Sequence, residues 1–171
     1  DWDSSAVCSD GSNPASISLQ SGEIVTCVFT NTRHTGTIEV VKDWVGTPGS
    51  VTLSIGSTVG GSEVDSEVAT TDATTGANTV DTGTYYVTET GDLANFNTSL
   101  SCSVNGDVVE VGENNSIEVG KDDEVVCTFT NTRKQGTLTV TKVLPNNNGG
   151  TAEIENFNLF VKALNIVCLE L

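Results

Sequence analysis

The stretch Cys27–Arg33 reads CVFTNTR, and Cys127–Arg133 reads CTFTNTR, one hundred residues later. Each is soon followed by a second matching landmark, TGTIEVVK ending at Lys42 and QGTLTVTK ending at Lys142. A fixed period carried by two landmarks is the signature of tandem domains. The repeat divides the 171 residues into an end, a whole and a beginning. Residues 1–33 correspond to the C-terminal part of one repeat, 36–133 to a complete repeat, and 136–171 to the N-terminal strands of a third. His34-Thr35 and Lys134-Gln135 are the linkers, short enough to restrict bending. The first residues have no basic start, apolar run or small-residue cleavage site, so we expect a processed form or a stretch of a longer array.

The complete repeat reads as all-β. Alternating runs occupy Thr37–Lys42, Val51–Ile55, Tyr85–Thr90, Leu100–Val104, Ile117–Val119 and Glu124–Asn131. Between them lie GTPGS, GSTVGG, DTGT, NGD and GENN, which are turn sequences. About seven short strands in roughly a hundred residues predicts a β-sandwich of Ig-like type. Only 5% of residues are aromatic and none is methionine, which suits small β-domains with thin cores. In the tail, Phe157, Leu159, Val161 and Ala163 alternate, while Ile154, Phe157, Val161 and Leu164 fit a helical stripe. By analogy with the complete repeat we expect strand there.

Charge and histidine content remove several function classes. The chain has 23 acidic and 7 basic residues, a net charge of −16. Nucleic acids and anionic membrane surfaces call for the opposite sign, and no apolar run is long enough to span a bilayer. With one histidine, His34, neither a histidine-rich metal site nor a histidine-based triad is available. We expect no enzyme, cofactor or metal.

Five cysteines occur. Aligning the two CxFTNTR segments places Cys8 opposite Cys102, so each repeat carries one equivalent pair. The pattern fits disulfides Cys8–Cys27 and Cys102–Cys127. The alternatives are buried free thiols or zinc, the latter lacking nearby histidine or further cysteine. Disulfides imply an extracellular or cell-surface protein. Cys168 has no partner in the pattern; pairing outside this stretch, pairing between chains and a free thiol all remain open. Asn97 and Asn114 begin N-glycosylation sequons. SDGSN at Ser9–Asn13 and GKDDE at Gly120–Glu124 are acidic turns without the register of a calcium loop.

Three strands end their apolar face on a polar residue. Lys42 shares a face with Ile38 and Val40, Glu89 with Tyr85 and Val87, and Asn131 with Val125, Cys127 and Phe129. Two accounts are open: the side chains snorkel to water from strand ends, or they meet inside, because a buried ammonium and carboxyl are costly apart.

The order TIEVVKDW, TYYVTETG and CTFTNTR resembles the Cna protein B-type, prealbumin-like domains of bacterial surface adhesins and pilus shafts. Those domains have a lysine in the first strand, a Y-x-V-x-E strand and a last strand ending in N-T. The resemblance covers nearly the whole chain, since Asn31 and Lys142 repeat two of the landmarks. Lys142–Val161 is also similar to the opening of a cysteine-containing tandem version found in large secreted proteins. The family implies an autocatalytic isopeptide bond, with Lys42 the nucleophile, Asn131 the electrophile and Glu89 the proton relay. Such chemistry needs a neutral amine and an uncharged acid held in contact; burial favours both neutral forms and folding supplies the proximity. The implied role is a structural module of an extracellular filament, stalk or adhesin, partnered by copies of itself head to tail or by adjoining repeats. The alternative is a module binding carbohydrate or host matrix, although with Trp2 and Trp44 alone no aromatic cluster for sugar stacking is visible.

Overall fold

The computed structural model describes residues 1–145 and 147–161, without the Asn148 side chain. Two compact units result, Asp1–Lys134 and Gln135–Leu171. Unit one is all-β among its described residues. Its strands are β1 (Trp2–Cys8), β2 (Cys27–Arg33), β3 (Thr35–Val45), β4 (Val51–Gly56), β5 (Asp65–Ala69), β6 (Ala73–Thr74), β7 (Asn78–Asp81), β8 (Gly83–Gly91), β9 (Phe96–Val104), β10 (Asp107–Val109), β11 (Ser116–Val119) and β12 (Glu124–Arg133).

Strands β3–β12 build the sandwich. One sheet runs β10-β9-β12-β3-β6, with β7 also on β3; the facing sheet runs β11-β8-β4-β5. The strict alternation of β3 and of β12 follows from their central places: one face is packed, the other half-covered. Ile38, Val40, Leu53, Ile55, Val87 and Val125 form the heart of the core. The first and last strands of the domain are parallel neighbours, from Glu124 opposite Thr37 to Thr132 opposite Val45. Such a pair cannot be joined by a tight turn, and the rest of the domain forms the crossover between them. Gly36 has a specific reason to lack a side chain: a Cβ there would meet Gly120 O at 2.6 Å. That close approach lets Thr37 N donate to Asp123 O at 2.8 Å at the start of β3.

The residues before the sandwich form the antiparallel hairpin β1-β2, with Cys8 opposite Cys27. Disulfides join Cys8 to Cys27 and Cys102 to Cys127, each with an S–S length of 2.03 Å. The hairpin is tethered to the sandwich by Lys121 Nζ to Asp3 Oδ2 at 2.7 Å and Arg33 Nε to Asp81 Oδ2 at 3.1 Å. His34 N also donates to Asp1 O at 3.0 Å.

The strands expected at the start of 136–171 and over Phe157–Val161 do not form among the described residues. Gln135–Val161 carries two single 3-10 turns, Asn147–Gly149 and Ile154–Asn156. The reason is pairing: β3 is held between β12 and the strands β6 and β7, and the described part of the second unit offers Thr137–Lys142 no such neighbours. Ala163, Leu164 and Cys168 lie outside the described residues.

Candidate functional site

Alternation along three strands carries Lys42, Glu89 and Asn131 to one place. On β3 the inward series Ile38, Val40, Lys42, Trp44 is buried. On β12 the series is Val125, Cys127, Phe129, Asn131. Phe129 stands opposite Lys42 and Asn131 opposite Trp44, so Lys42 and Asn131 sit two residues out of step on the same inner face. Glu89, on β8 of the facing sheet, reaches across the sandwich to both.

The burial is deep: Lys42 is 1% exposed and Asn131 0%, and the Glu89 side chain is 3% exposed. Lys42 Nζ lies 3.3 Å from Glu89 Oε1. It also donates to the carbonyl oxygens of Phe129 at 2.9 Å and Asp43 at 3.0 Å. Three acceptors match the three donors of an ammonium. Asn131 Nδ2 donates to the same Glu89 oxygen at 2.9 Å. Asn131 Oδ1 is buried with no hydrogen-bond partner. A buried orphan oxygen costs about 1–3 kcal/mol, so Asn131 is held with half its amide unsatisfied.

The indole of Trp44 closes the site, its ring centroid 4.4 Å from Lys42 Nζ. That ring is fixed by Nε1 donating to Thr71 O at 3.1 Å and by edge packing on Phe96 at 4.9 Å between centroids. Burial lowers the Lys42 pKa, with Glu89 as the main opposing influence. Burial thus favours the neutral form of the Lys42 amine.

Trp44 lies two residues beyond Lys42 on the same face of β3. Thr71, Asp72 and Phe96, which fix it, carry no sequence signal; Asp72 Oδ1 accepts from Trp44 N at 2.9 Å. The acidic turns have local duties. Asp123 accepts from Gly120 N at 2.8 Å and from Asn105 Nδ2 at 2.9 Å, and Asp10 accepts from both the backbone N and hydroxyl of Ser12. The sequon residues Asn97 and Asn114 are exposed. In the hairpin, Asn31, equivalent to Asn131, is exposed and accepts from Ser4 Oγ at 2.8 Å.

Comparison with protein-family models finds no match, and comparison with curated proteins finds none. Among solved structures, the chain is similar to the major pilin protein (T-13) of Streptococcus pyogenes, at a TM-score of 0.40 and 14% identity. That alignment covers 62% of this chain and 47% of the pilin, so the matched region is under half of the pilin's length. The all-β fold rests on the sheet pairings described above.

Proposed function

We propose that the chain is a structural module of an extracellular filament, stalk or adhesin, and that its central domain closes a covalent bond between Lys42 and Asn131. The observation that carries this reading is the buried cluster in which one Glu89 oxygen contacts both Lys42 Nζ and Asn131 Nδ2. Neutral Lys42 Nζ attacks Asn131 Cγ. The C–N bond to Nδ2 breaks, and Glu89 carries the amine's proton to that nitrogen, which leaves as ammonia. Atoms balance with no oxidant or cofactor, and burial plus fixed geometry supplies the effective concentration.

The topology supports a load-bearing role. Tension applied at the ends of the domain enters β3 at Thr35 and leaves β12 at Arg133. A Lys42–Asn131 bond passes that tension directly between the two strands, taking residues 43–130 out of the load path. The Cys102–Cys127 disulfide closes a loop wholly inside that protected stretch, so the two crosslinks are not redundant. Two cross-strand disulfides suit an oxidising compartment.

Intact mass after disulfide reduction tests the bond. The native chain should be lighter by one ammonia, Glu89→Ala should restore the full mass, and fragmentation should yield a branched Lys42–Asn131 peptide. Full mass in the folded native chain would reject the bond.

A further inference from the structure

We propose that Asp72 is a positioning residue of the Lys42–Asn131 site: by accepting from the backbone N–H of Trp44 it holds the indole over the lysine, and so sets the rate at which the bond closes. This rests on the bond-forming reading above and adds to it a group outside the reacting three.

On its outer edge β3 has β7 from Thr35 to Ile38, and β6 only at Val41 and Lys42. A two-residue strand leaves backbone uncovered on both flanks, and side chains complete the edge. Thr75 Oγ1 accepts from Val40 N at 2.9 Å on one flank. Asp72 Oδ1 accepts from Trp44 N at 2.9 Å on the other. Val40, Lys42 and Trp44 all lie on the inward face of β3, so the clamp is centred on the lysine and its Asp72 end falls at the indole. Thr71 gives that end a second grip. Its carbonyl accepts from Trp44 Nε1 at 3.1 Å, and its hydroxyl donates to Asp72 O at 3.2 Å. Two consecutive residues therefore hold both the backbone and the ring of one tryptophan.

Thr71 and Asp72 are exposed, whereas Trp44 is 8% exposed and Lys42 1%. The ring centroid stands 4.4 Å from Lys42 Nζ, so the indole is the wall that keeps water from the amine on this side. With the ring displaced, the ammonium regains its hydration and the neutral nucleophile becomes scarcer. Asp72 also acts by charge, in the opposite sense. Burial lowers the Lys42 pKa, while Glu89 of β8, Asp43 of β3 and Asp72 raise it. The hydrogen bond thus promotes closure and the charge restrains it. Asparagine keeps the acceptor oxygen and drops the charge; alanine drops both.

The test follows ammonia loss by intact mass in full chains recovered unfolded and uncrosslinked, then diluted into native buffer. Asp72 is exposed, so its substitution leaves the core intact. Asp72→Ala should slow closure about tenfold or more. Asp72→Asn should restore the parent's plateau rate, with its pH–rate curve moved to lower pH because the lysine has lost an anionic neighbour. Thr75→Val removes the other end of the clamp, away from the indole, and should close at the parent's rate. In a Trp2→Phe background Trp44 is the remaining tryptophan. Its emission should move to longer wavelength and become quenchable by iodide in Asp72→Ala, and stay as in the parent in Asp72→Asn. A parent that folds without losing ammonia would reject the bond itself, and this role with it. A parent that closes would overturn the role of Asp72 alone if Asp72→Ala closed as fast, if Asp72→Asn closed as slowly as Asp72→Ala, or if Thr75→Val slowed closure equally.

Discussion

The hairpin β1-β2 and the pair β9-β12 share a motif, an antiparallel pairing and a cross-strand disulfide, yet their residues lead different lives. Phe129 is in the core and Phe29 faces water. Asn131 is sealed against Glu89, while Asn31 bonds to the Ser4 hydroxyl at the surface. The local sequence decides that a strand forms and which neighbour it staples. Whether its polar end is buried beside a lysine and an acid depends on elements brought from far along the chain, namely β3 and β8. What sets Asn131 apart from Asn31 is the lysine and the acid buried against it.

The sharpest way to break this comparison is to empty the central site. Glu89→Ala leaves the Lys42 ammonium buried without its carboxylate, and loss of one partner of a buried pair costs about 3–5 kcal/mol. On the proposed chemistry it also abolishes crosslinking, so denaturant midpoint and intact mass should both change. Asn31→Ala, at the equivalent hairpin position, should change neither measurably. If the two variants behaved alike, burial would not be what distinguishes the sites.

Packing offers a second contrast. Phe129→Ala removes a core ring and should cost about 3–5 kcal/mol in equilibrium unfolding. Phe29→Ala should fall within about 0.5 kcal/mol, the usual range for exposed positions. The disulfides should differ in kind as well as size. Removing Cys102–Cys127 by double substitution to alanine should lower global stability by about 2–4 kcal/mol. Removing Cys8–Cys27 should leave the sandwich's unfolding midpoint in place while the β1-β2 amides lose hydrogen-exchange protection, since a two-stranded hairpin is marginal alone.

How much of this was legible in the residues follows the same division. Alternation puts Lys42, Glu89 and Asn131 on the apolar faces of their strands, because period two is a property of the strand itself, but it does not say whether they meet inside or reach water. The repeat aligned the cysteines, because the same strand pair occurs twice. The edge strands β5, β6, β7 and β10 were missed. Val68 and Val108 point to solvent there, so an edge strand need not show the alternation that burial enforces. The tail expectation went astray for a related reason: Leu138, Val140 and Phe157 have a strand's pattern, but pattern yields a strand only where a partner offers its backbone groups. Thr71 and Asp72 were illegible because they serve the site through loop geometry.

The smallest expected effect lies where the two regions meet. Asp3 of the hairpin accepts from Lys121 of the sandwich at 2.7 Å and lies 3.0 Å from His34 Nε2. The Lys121 hydrogen bond, then that of His34, lowers the Asp3 pKa from 3.8 to about 2. A lowered folded-state value means the contact stabilises docking above the ordinary carboxylate pKa and fades as pH falls through the folded one. The partner obeys the opposite sign. Its bond to Asp3 raises the Lys121 pKa above 10.5, so that contribution holds below the ordinary lysine value and is lost as pH rises past the raised one. Both groups are solvated and screened, so the effect should be a small loosening of the hairpin and not unfolding. Amide exchange at His34, whose N–H donates to Asp1 O, should quicken, relative to the intrinsic rate, as pH drops from about 4 toward 2, with the amides of β3 unaffected. Asp3→Asn should remove that pH dependence, and added salt should flatten it. Loss of protection that survived Asp3→Asn would place the tether in the Arg33–Asp81 pair instead.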